Sequence, residues 1–462
     1  MPTRADAIAH ASDLFDSGAF ENALTALVAL ESESQKPDNA PALTRYLEDG
    51  IAPRLHALGF EIRIADNPDP AGGPFLIATR HEADGLPTLL HYGHGDTVHG
   101  QAGRWSAGRD PFAVTRAGAR LYGRGTADNK GQHLINILAM EAVLAVRGRL
   151  GFNAKWVIEM SEETGSAGLE RLFEAEREAL AADVLIASDG PRLQPETPCV
   201  FLGARGALNF RLEVDLRAGA HHSGNWGGLL ADPAMILAHA LASITDARGQ
   251  IAVPEWRPTS LTEDVRRAIR DLPMEGPEGP AIDPDWGEEG LSAAERCFGW
   301  NSFAVLAMES GVPAAPVNAI AGRAFAVCQL RFVVGTPVED ILPALRRHLE
   351  ARGFGQAKVL EEEMAPMAAT RQPLDHPWVR FVLGSIVETT GKAPHVLPNL
   401  GGALPNACFT DTLGLPTIWV PHSYRGCCQH APDEHLLADV VREGLEMMAG
   451  LWWDVGAAPP AG

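Results

Sequence analysis

Leu86-Pro-Thr-Leu-Leu-His-Tyr92 runs through Gly93 straight into His94-Gly-Asp96. A short apolar run that ends on polar side chains reads as a buried strand of a parallel sheet. Two further runs repeat the layout. Ala154-Lys-Trp-Val-Ile-Glu-Met160 precedes Glu162-Glu163, and Ala182-Asp-Val-Leu-Ile-Ala187 precedes Ser188-Asp189. Open α/β sheets bind their ligands just beyond the carboxyl ends of the strands. Three strands thus deliver imidazoles or acids to one rim. The fold class that follows is α/β, with a mixed, mainly parallel sheet flanked by helices.

Working outward, residues 6–33 and 40–58 carry Leu, Ile and Ala every three or four positions and predict helices. Gly123-Arg-Gly-Thr-Ala-Asp128 is a tight turn, and a helix runs behind it from Gly131 to Met140. Asp128 therefore sits near a helix start, where the dipole favours a carboxylate. After about residue 203 the texture changes. Arg205–Leu216 alternates apolar and polar, a half-buried strand. Pro233–Ile244 reads as a helix, Ser302–Met308 and Ala324–Val334 as strands, Val338–Arg352 as a helix, and Lys358–Glu363 as a strand. That order is the split βαβ, or ferredoxin-like, pattern. A Pro-, Gly- and acid-rich stretch near 250–300 interrupts it as an insertion. The parallel-sheet texture then returns, with a helix over His376–Thr390 and a strand over Leu415–Val420. The expected organisation is a discontinuous catalytic domain, 1–203 and 367–462, carrying an inserted α+β domain, 204–366.

At 462 residues, two or three domains are expected. With 46% hydrophobic and 21% charged residues the chain reads as a globular enzyme and not a disordered one. A formal net charge of −21 argues against nucleic acid or an anionic membrane as partner. No run approaches the roughly 18 apolar residues of a membrane span. The amino terminus lacks the basic-then-apolar layout of a signal peptide. Six cysteines in this length do not form a disulfide framework. A reducing cytoplasm is the simplest compartment.

The polar signatures point to metal chemistry, because imidazoles and carboxylates are the ligand set of borderline divalent ions. His94 is a ligand candidate, and Asp96 an acid that orients its imidazole; alone, such a pair would read as a capped loop. Glu162 and Glu163 are adjacent, and alternation along an extended segment would point them apart. One can bind metal while the other stays free as a general base. The rival reading, a solvated acidic turn, is weakened by the small-residue turn Thr164-Gly-Ser-Ala-Gly168 beside the sheet end. Charge arithmetic favours two metals. Asp128, Glu163 and Asp189 offset three of four positive charges, and the remainder suits a bridging hydroxide.

Gly93-His-Gly-Asp-Thr-Val98, Tyr122-Gly-Arg-Gly-Thr-Ala-Asp-Asn-Lys-Gly131, Glu162-Glu-Thr-Gly-Ser166, Ser188-Asp189 and Gln429-His-Ala-Pro-Asp-Glu434 together resemble, in order, the motifs of one family. It is the dinuclear zinc peptidase family of carnosinase-type dipeptidases, glutamate carboxypeptidases, acetylornithine and succinyl-diaminopimelate deacylases, and aminoacylases. The resemblance implies that Asp128 bridges two divalent ions. His94 and Asp189 would complete one site, and Glu163 and His430 the other. Asp96 would brace His94, and Glu162 would be general base and then proton donor. The inserted domain would be a lid. His222, within Ala220-His-His-Ser-Gly-Asn-Trp-Gly-Gly228, matches a lid histidine that reaches into the partner's active site in dimeric relatives and polarises the scissile carbonyl. Asn318 and Arg331 resemble lid residues that bind the substrate carboxylate, for which the arginine fork is suited; a surface strand arginine is the rival reading. Gly402 lies in Gly401-Gly-Ala-Leu-Pro405, which is similar to the family's substrate loop. Ala403 departs from a frequent serine, and Val334-Gly335 from a frequent proline, which bears on substrate contacts. A homodimer through the lid is implied as well.

Cys427-Cys428, close to His430, can be read as a thiol nucleophile, but carboxylates and imidazoles already fill the expected shell. The Gly123-Arg-Gly turn suggests a phosphate cradle, yet the Walker pattern is absent. The expectation is a cytoplasmic, metal-dependent hydrolase of an amide or peptide bond in a small carboxylate-bearing substrate. The metal is expected to be zinc, with manganese or cobalt as alternatives. By resemblance alone, the long insertion within the lid points to the dipeptidase-like branch, with a deacylase of N-acyl amino acids as the rival. A non-catalytic binding homologue would be expected to lose Glu162 or a ligand, and all are present.

Overall fold

The computed structural model describes residues 1–275, 279–362 and 366–460. Its organising element is the strand Thr88–His94, buried from Leu89 onward. Asn153–Glu159 pairs with it on one side and Val184–Ala187 on the other, both parallel. Thr417–Trp419 continues the parallel set beyond Val184–Ala187. Four central strands therefore end on one rim, as the three repeated runs require.

The complete sheet has eight strands. Phe75–Arg80 and Glu61–Ala65 extend one side antiparallel. Cys199–Phe201 and His395–Leu397 complete the other, the first antiparallel to Thr417–Trp419 and the second parallel to Cys199–Phe201. Helices Arg4–Asp16, Lys130–Arg147, Pro377–Thr390 and Ala438–Ala457 share one hydrophobic core on a face of this sheet. None of the described helices is long and apolar enough to cross a membrane.

Helical spacing over 6–33 resolves into two helices, Arg4–Asp16 and Ala19–Val28. Gly18 separates them at φ 81, a conformation that a continuing helix does not allow. Residues 40–58 form three consecutive pieces, with a wider π turn over Tyr46–Ile51 and Pro53 in the first turn of Ala52–Ala57. A proline there withdraws only an N–H that a helix start leaves free.

A second sheet carries Ser302–Ser310, Arg323–Phe332, Gly206–Asp215 and Lys358–Glu361 in that order, all antiparallel. Gly206–Asp215 alternates buried and half-buried positions, which seats its Leu208, Phe210, Leu212 and Val214 in one core. Pro233–Ile244 and Val338–Ala351 cover that face. This is the expected ferredoxin-like arrangement; Glu363, the expected strand end, lies outside the described residues.

The stretch near 250–300, of which 276–278 lie outside the described residues, forms short helices at Glu263–Ile269 and Ala293–Phe298. They leave the second sheet and pack on the main one. Val265, Ile269, Ala294 and Phe298 share a core with Leu397, Leu400 and Trp419 on the face opposite the long helices.

Candidate metal centre

His94 ends its strand between two glycines whose lack of a side chain matters. A Cβ at Gly93 would stand 2.7 Å from the His133 Cβ, and one at Gly95 would stand 2.2 Å from the Tyr46 ring. The rim can approach the helix Lys130–Arg147 this closely only with glycine at 93, and the Tyr46 ring only with glycine at 95. His94 Nδ1 lies 3.1 Å from the Asp96 carbonyl and 3.3 Å from its Oδ1. With Nδ1–H donating there, Nε2 faces Asp128 Oδ1 at 3.1 Å and Asp189 Oδ2 at 3.6 Å.

The Asp96 carboxylate also accepts from the backbone N–H groups of Glu162 and Glu163, both at 3.2 Å. This corrects one expectation. Glu162–Thr164 is a single 3₁₀ turn ended by Gly165 at φ 92, and not an extended segment. Two successive N–H groups converging on one acid require the turn. The two glutamates diverge for that reason and not through strand alternation.

Glu163 Oε2 lies 3.1 Å from His430 Nε2, and the same nitrogen lies 3.1 Å from Asp128 Oδ2. His94, Asp128 and Asp189 hold their ligand atoms within 4.8 Å of one another, and so do Asp128, Glu163 and His430. Asp128 belongs to both triads and turns one oxygen to each imidazole. Gln429 Nε2 donates to its Oδ2 at 3.2 Å.

The loop bearing His430 is held in unusual backbone. Cys428, His430 and Asp433 have φ of 58, 59 and 65, left-handed values that side chains other than glycine rarely adopt. Its following strand, His435–Leu437, pairs with Arg120–Tyr122 just ahead of the Asp128 turn. Both ligand-bearing loops thus leave one small sheet. Glu434 joins them a second time. Its Oε1 accepts from the N–H of Ala127 at 2.9 Å and Asp128 at 3.0 Å, and its Oε2 from Gly125 N at 3.1 Å and Arg124 Nη1 at 2.7 Å.

Glu434 stands in a motif the sequence singled out, but nothing local marked its role. The same holds for a buried chain behind the rim. Tyr46 Oη meets His133 Nε2 at 2.7 Å, His133 Nδ1 meets Asn129 Oδ1 at 2.9 Å, and Asn129 Nδ2 donates to Ser188 O at 2.7 Å. It links the residue after Asp128 to the residue before Asp189.

Taken alone, these side chains crowd like charges out of water. Burial, reinforced by Asp128, pushes Glu163 up to about 7 and Asp189 up to about 6. Burial also drives Glu162 well above the usual carboxylate range; Glu163 and Asp189 add to this and His94 opposes it. Asp128 and Glu163 raise His430 to about 11. Burial opposes a charged His94, but Asp128 and Asp96 reverse that and hold it well above the ordinary value. Asp189 Oδ2 is buried with no hydrogen-bond partner among the described residues. Two imidazoles and three acids, one of them with an orphaned oxygen, fit a pair of divalent cations, whose charge would replace the protons these groups otherwise share.

Asp128, Glu162, Asp189 and His430 line one end of a cavity of about 480 Å³, and Gly402 lies in its wall. His222, Asn318 and Arg331 are not among the residues that line it. His222 is exposed on a separate two-stranded sheet, where it pairs with Ala319; the neighbouring Asn318 carbonyl accepts from Ser223 N at 2.8 Å. Arg331 is half-buried near the other end of Arg323–Phe332, its Nε donating to Gln329 Oε1 at 3.0 Å. Cys427 is buried, which pushes its thiol up to about 12, far from a nucleophile's range.

Several known proteins are similar to this chain. Mouse (Mus musculus) Beta-Ala-His dipeptidase is 33% identical over 272 residues, 55% of this chain and 54% of the relative. Cysteinylglycine-S-conjugate dipeptidase of Corynebacterium striatum is 30% identical over 50% of each chain. The chain spans about half the length of the curated relatives it matches. Among solved structures, human carnosine dipeptidase 1 has a TM-score of 0.77 at 24% identity, covering 97% of this chain and 100% of its own. The dipeptidase Dug1p of Saccharomyces cerevisiae reaches 0.81 at 21% identity, covering 98% and 99%. These two likenesses are of fold. The sequence profile of peptidase family M20/M25/M40 matches residues 90–454, which spans the ligand-bearing strands and loops alike, and the chain belongs to that family.

Proposed function

We propose that the chain is a metal-dependent dipeptidase. The observation that carries this reading is the pair of donor triads sharing Asp128, with Glu162 lining the same cavity. His94, Asp128 and Asp189 would hold one divalent ion, and Asp128, Glu163 and His430 the other, zinc first, with manganese or cobalt as alternatives. Bound there, such ions would acidify a coordinated water and polarise the scissile carbonyl. Asp96 fixes the His94 tautomer and ring orientation. Glu162 takes a proton from the attacking water and returns it to the leaving nitrogen.

In this reading residues 1–203 and 367–462 form the catalytic unit and 204–366 a lid through which two copies pair. The dimer is supported by Ser302–Ser310, an edge strand whose Val305, Leu306 and Met308 are all exposed. A long apolar edge calls for a partner. His222 would then serve the partner's site, with Asn318 beside it and Arg331 receiving the substrate carboxylate. All six cysteines are free thiols, in keeping with a reducing cytoplasm.

The test is chelation followed by re-addition of zinc, manganese or cobalt, with a panel of dipeptides and N-acyl amino acids. Metal-restored cleavage of dipeptides is expected; cleavage of N-acyl amino acids alone would transfer the proposal to a deacylase. Glu162→Gln should keep its metal and lose turnover by more than about 100-fold. Near-normal activity in that variant would remove Glu162 from its role.

A further inference from the structure

We infer that the site selects substrates with an apolar side chain next to the scissile bond, and that the insertion near 250–300 contributes Phe298 to the wall that selects them. This rests on the dipeptidase reading above. The cavity that begins at Asp128, Glu162, Asp189 and His430 continues into a wall of Leu193, Phe298, Leu397, Leu400 and Leu404. Apart from the metal-end groups, Arg425 is the one charged side chain in the lining, and its guanidinium carbon lies 6.0 Å from the Phe298 ring centroid.

Phe298 and its neighbour Cys297 end the insertion helix Ala293–Phe298. That helix is well anchored. Ser292 and Glu295 form a capping box at its start, Arg266 pairs with Glu295, and Phe298 is 1% exposed. The glycine loop meets it directly: a Cβ at Gly401 would stand 3.3 Å from Cys297 Sγ and 3.6 Å from Phe298 Cε1. The loop is pinned from behind by Arg205 N, which donates to the carbonyls of Leu400 at 3.2 Å and Gly402 at 3.1 Å. The wall is therefore rigid, apolar and continuous with the reacting end.

A leucyl-sized side chain entering it would replace water with carbon contacts. A cationic side chain would lose hydration and find no counter-charge in the wall, and an anionic one would find Arg425 alone. Apolar pockets discriminate by roughly 10–200-fold per methylene-scale difference.

The experiment measures kcat/KM of the metal-loaded enzyme for Gly-Gly, Leu-Gly, Gly-Leu, Asp-Gly, Gly-Asp, Lys-Gly and Gly-Lys. At one of the two positions leucine should exceed glycine by at least about 10-fold, with lysine at or below glycine and aspartate below leucine. Phe298→Ala, and independently Leu193→Ala, should shrink the leucine-to-glycine ratio by about 10-fold, mainly through KM. Because each result is a ratio within one protein, partial loss of folded enzyme does not imitate it. Equal cleavage of all seven, or a ratio unmoved in both variants, overturns the inference while leaving the dipeptidase reading intact. Cleavage of none of the panel overturns the dipeptidase reading, and the inference falls with it.

Discussion

Removing Glu434 should loosen the metal centre although this residue touches no metal. It is fully buried and all four of its partners donate, which suits only the ionised carboxylate. Burial pushes its carboxyl up against the pull of Arg124, so the clamp is held under electrostatic load. Arg124 is itself only 1% exposed. In Glu434→Ala that cation stays buried without its acid, and breaking a buried pair this way destabilises by about 3–5 kcal/mol. Three backbone N–H groups, those of residues 125, 127 and 128, also lose their acceptor. Glu434→Gln keeps the volume and one acceptor oxygen but turns an amide toward donors, so a loss of about 1.5–3 kcal/mol is expected. Because Asp128 N is one of the released groups, the shared ligand should wander, and supporting residues of this kind change metal affinity by roughly 10–100-fold. Urea unfolding of the metal-free protein reads the first effect, and zinc titration against a competing chelator the second. Glu434→Ala with wild-type unfolding and wild-type zinc affinity would refute the reasoning outright.

Three further outcomes follow from the same geometry. If His222 serves the partner's site, coexpressing Glu162→Gln chains with His222→Ala chains should restore about one quarter of wild-type activity, since half the dimers are mixed and each mixed dimer holds one intact site; no recovery means that His222 does not act across the interface. If two copies pair through this edge as proposed, Val305→Lys combined with Met308→Lys should leave a monomer in light scattering, because charge on an exposed edge opposes strand pairing. Glu159 is buried beneath the rim, and burial raises its pKa from 4.5 to about 7 against the opposing hydrogen bond from Tyr92. A raised acid stabilises the fold fully below the unfolded value and loses that contribution as pH climbs through about 7. Metal-free protein should therefore lose up to about 3 kcal/mol between pH 4.5 and 8 on this account, and Glu159→Gln should flatten that slope in denaturant titrations.

The rim was legible in the sequence because its signals are local. A buried parallel strand must be apolar throughout, so Thr88–His94, Asn153–Glu159 and Val184–Ala187 announce themselves, and the first polar residues past each end must face the crevice. That is why His94, the Glu162 pair and Asp189 could be picked out one strand at a time. The second sheet's alternating strands were legible for the same reason, as Gly206–Asp215 shows with every second side chain in the core. Edge strands such as Glu61–Ala65, exposed or half-buried over four of five positions, carry a much weaker pattern.

What escaped the sequence is whatever depends on two distant segments meeting. Glu434 and Arg124 lie 310 positions apart, and neither is unusual in its own surroundings until the small sheet brings the loops together. The Glu162 turn was misjudged because its cause is Asp96, 66 residues upstream, whose carboxylate takes both N–H groups and leaves the pair no extended alternative. The insertion is the same case on a larger scale. Its proline, glycine and acid content reads as loop, yet Val265, Ile269, Ala294 and Phe298 are spaced so that two short helices present one apolar face each. Such helices are too short to be stable by themselves, so they exist only where a surface already waits for them. That surface is the face of the main sheet opposite the long helices, beside the glycine loop, and it explains why the insertion ends against the cavity and not in solvent.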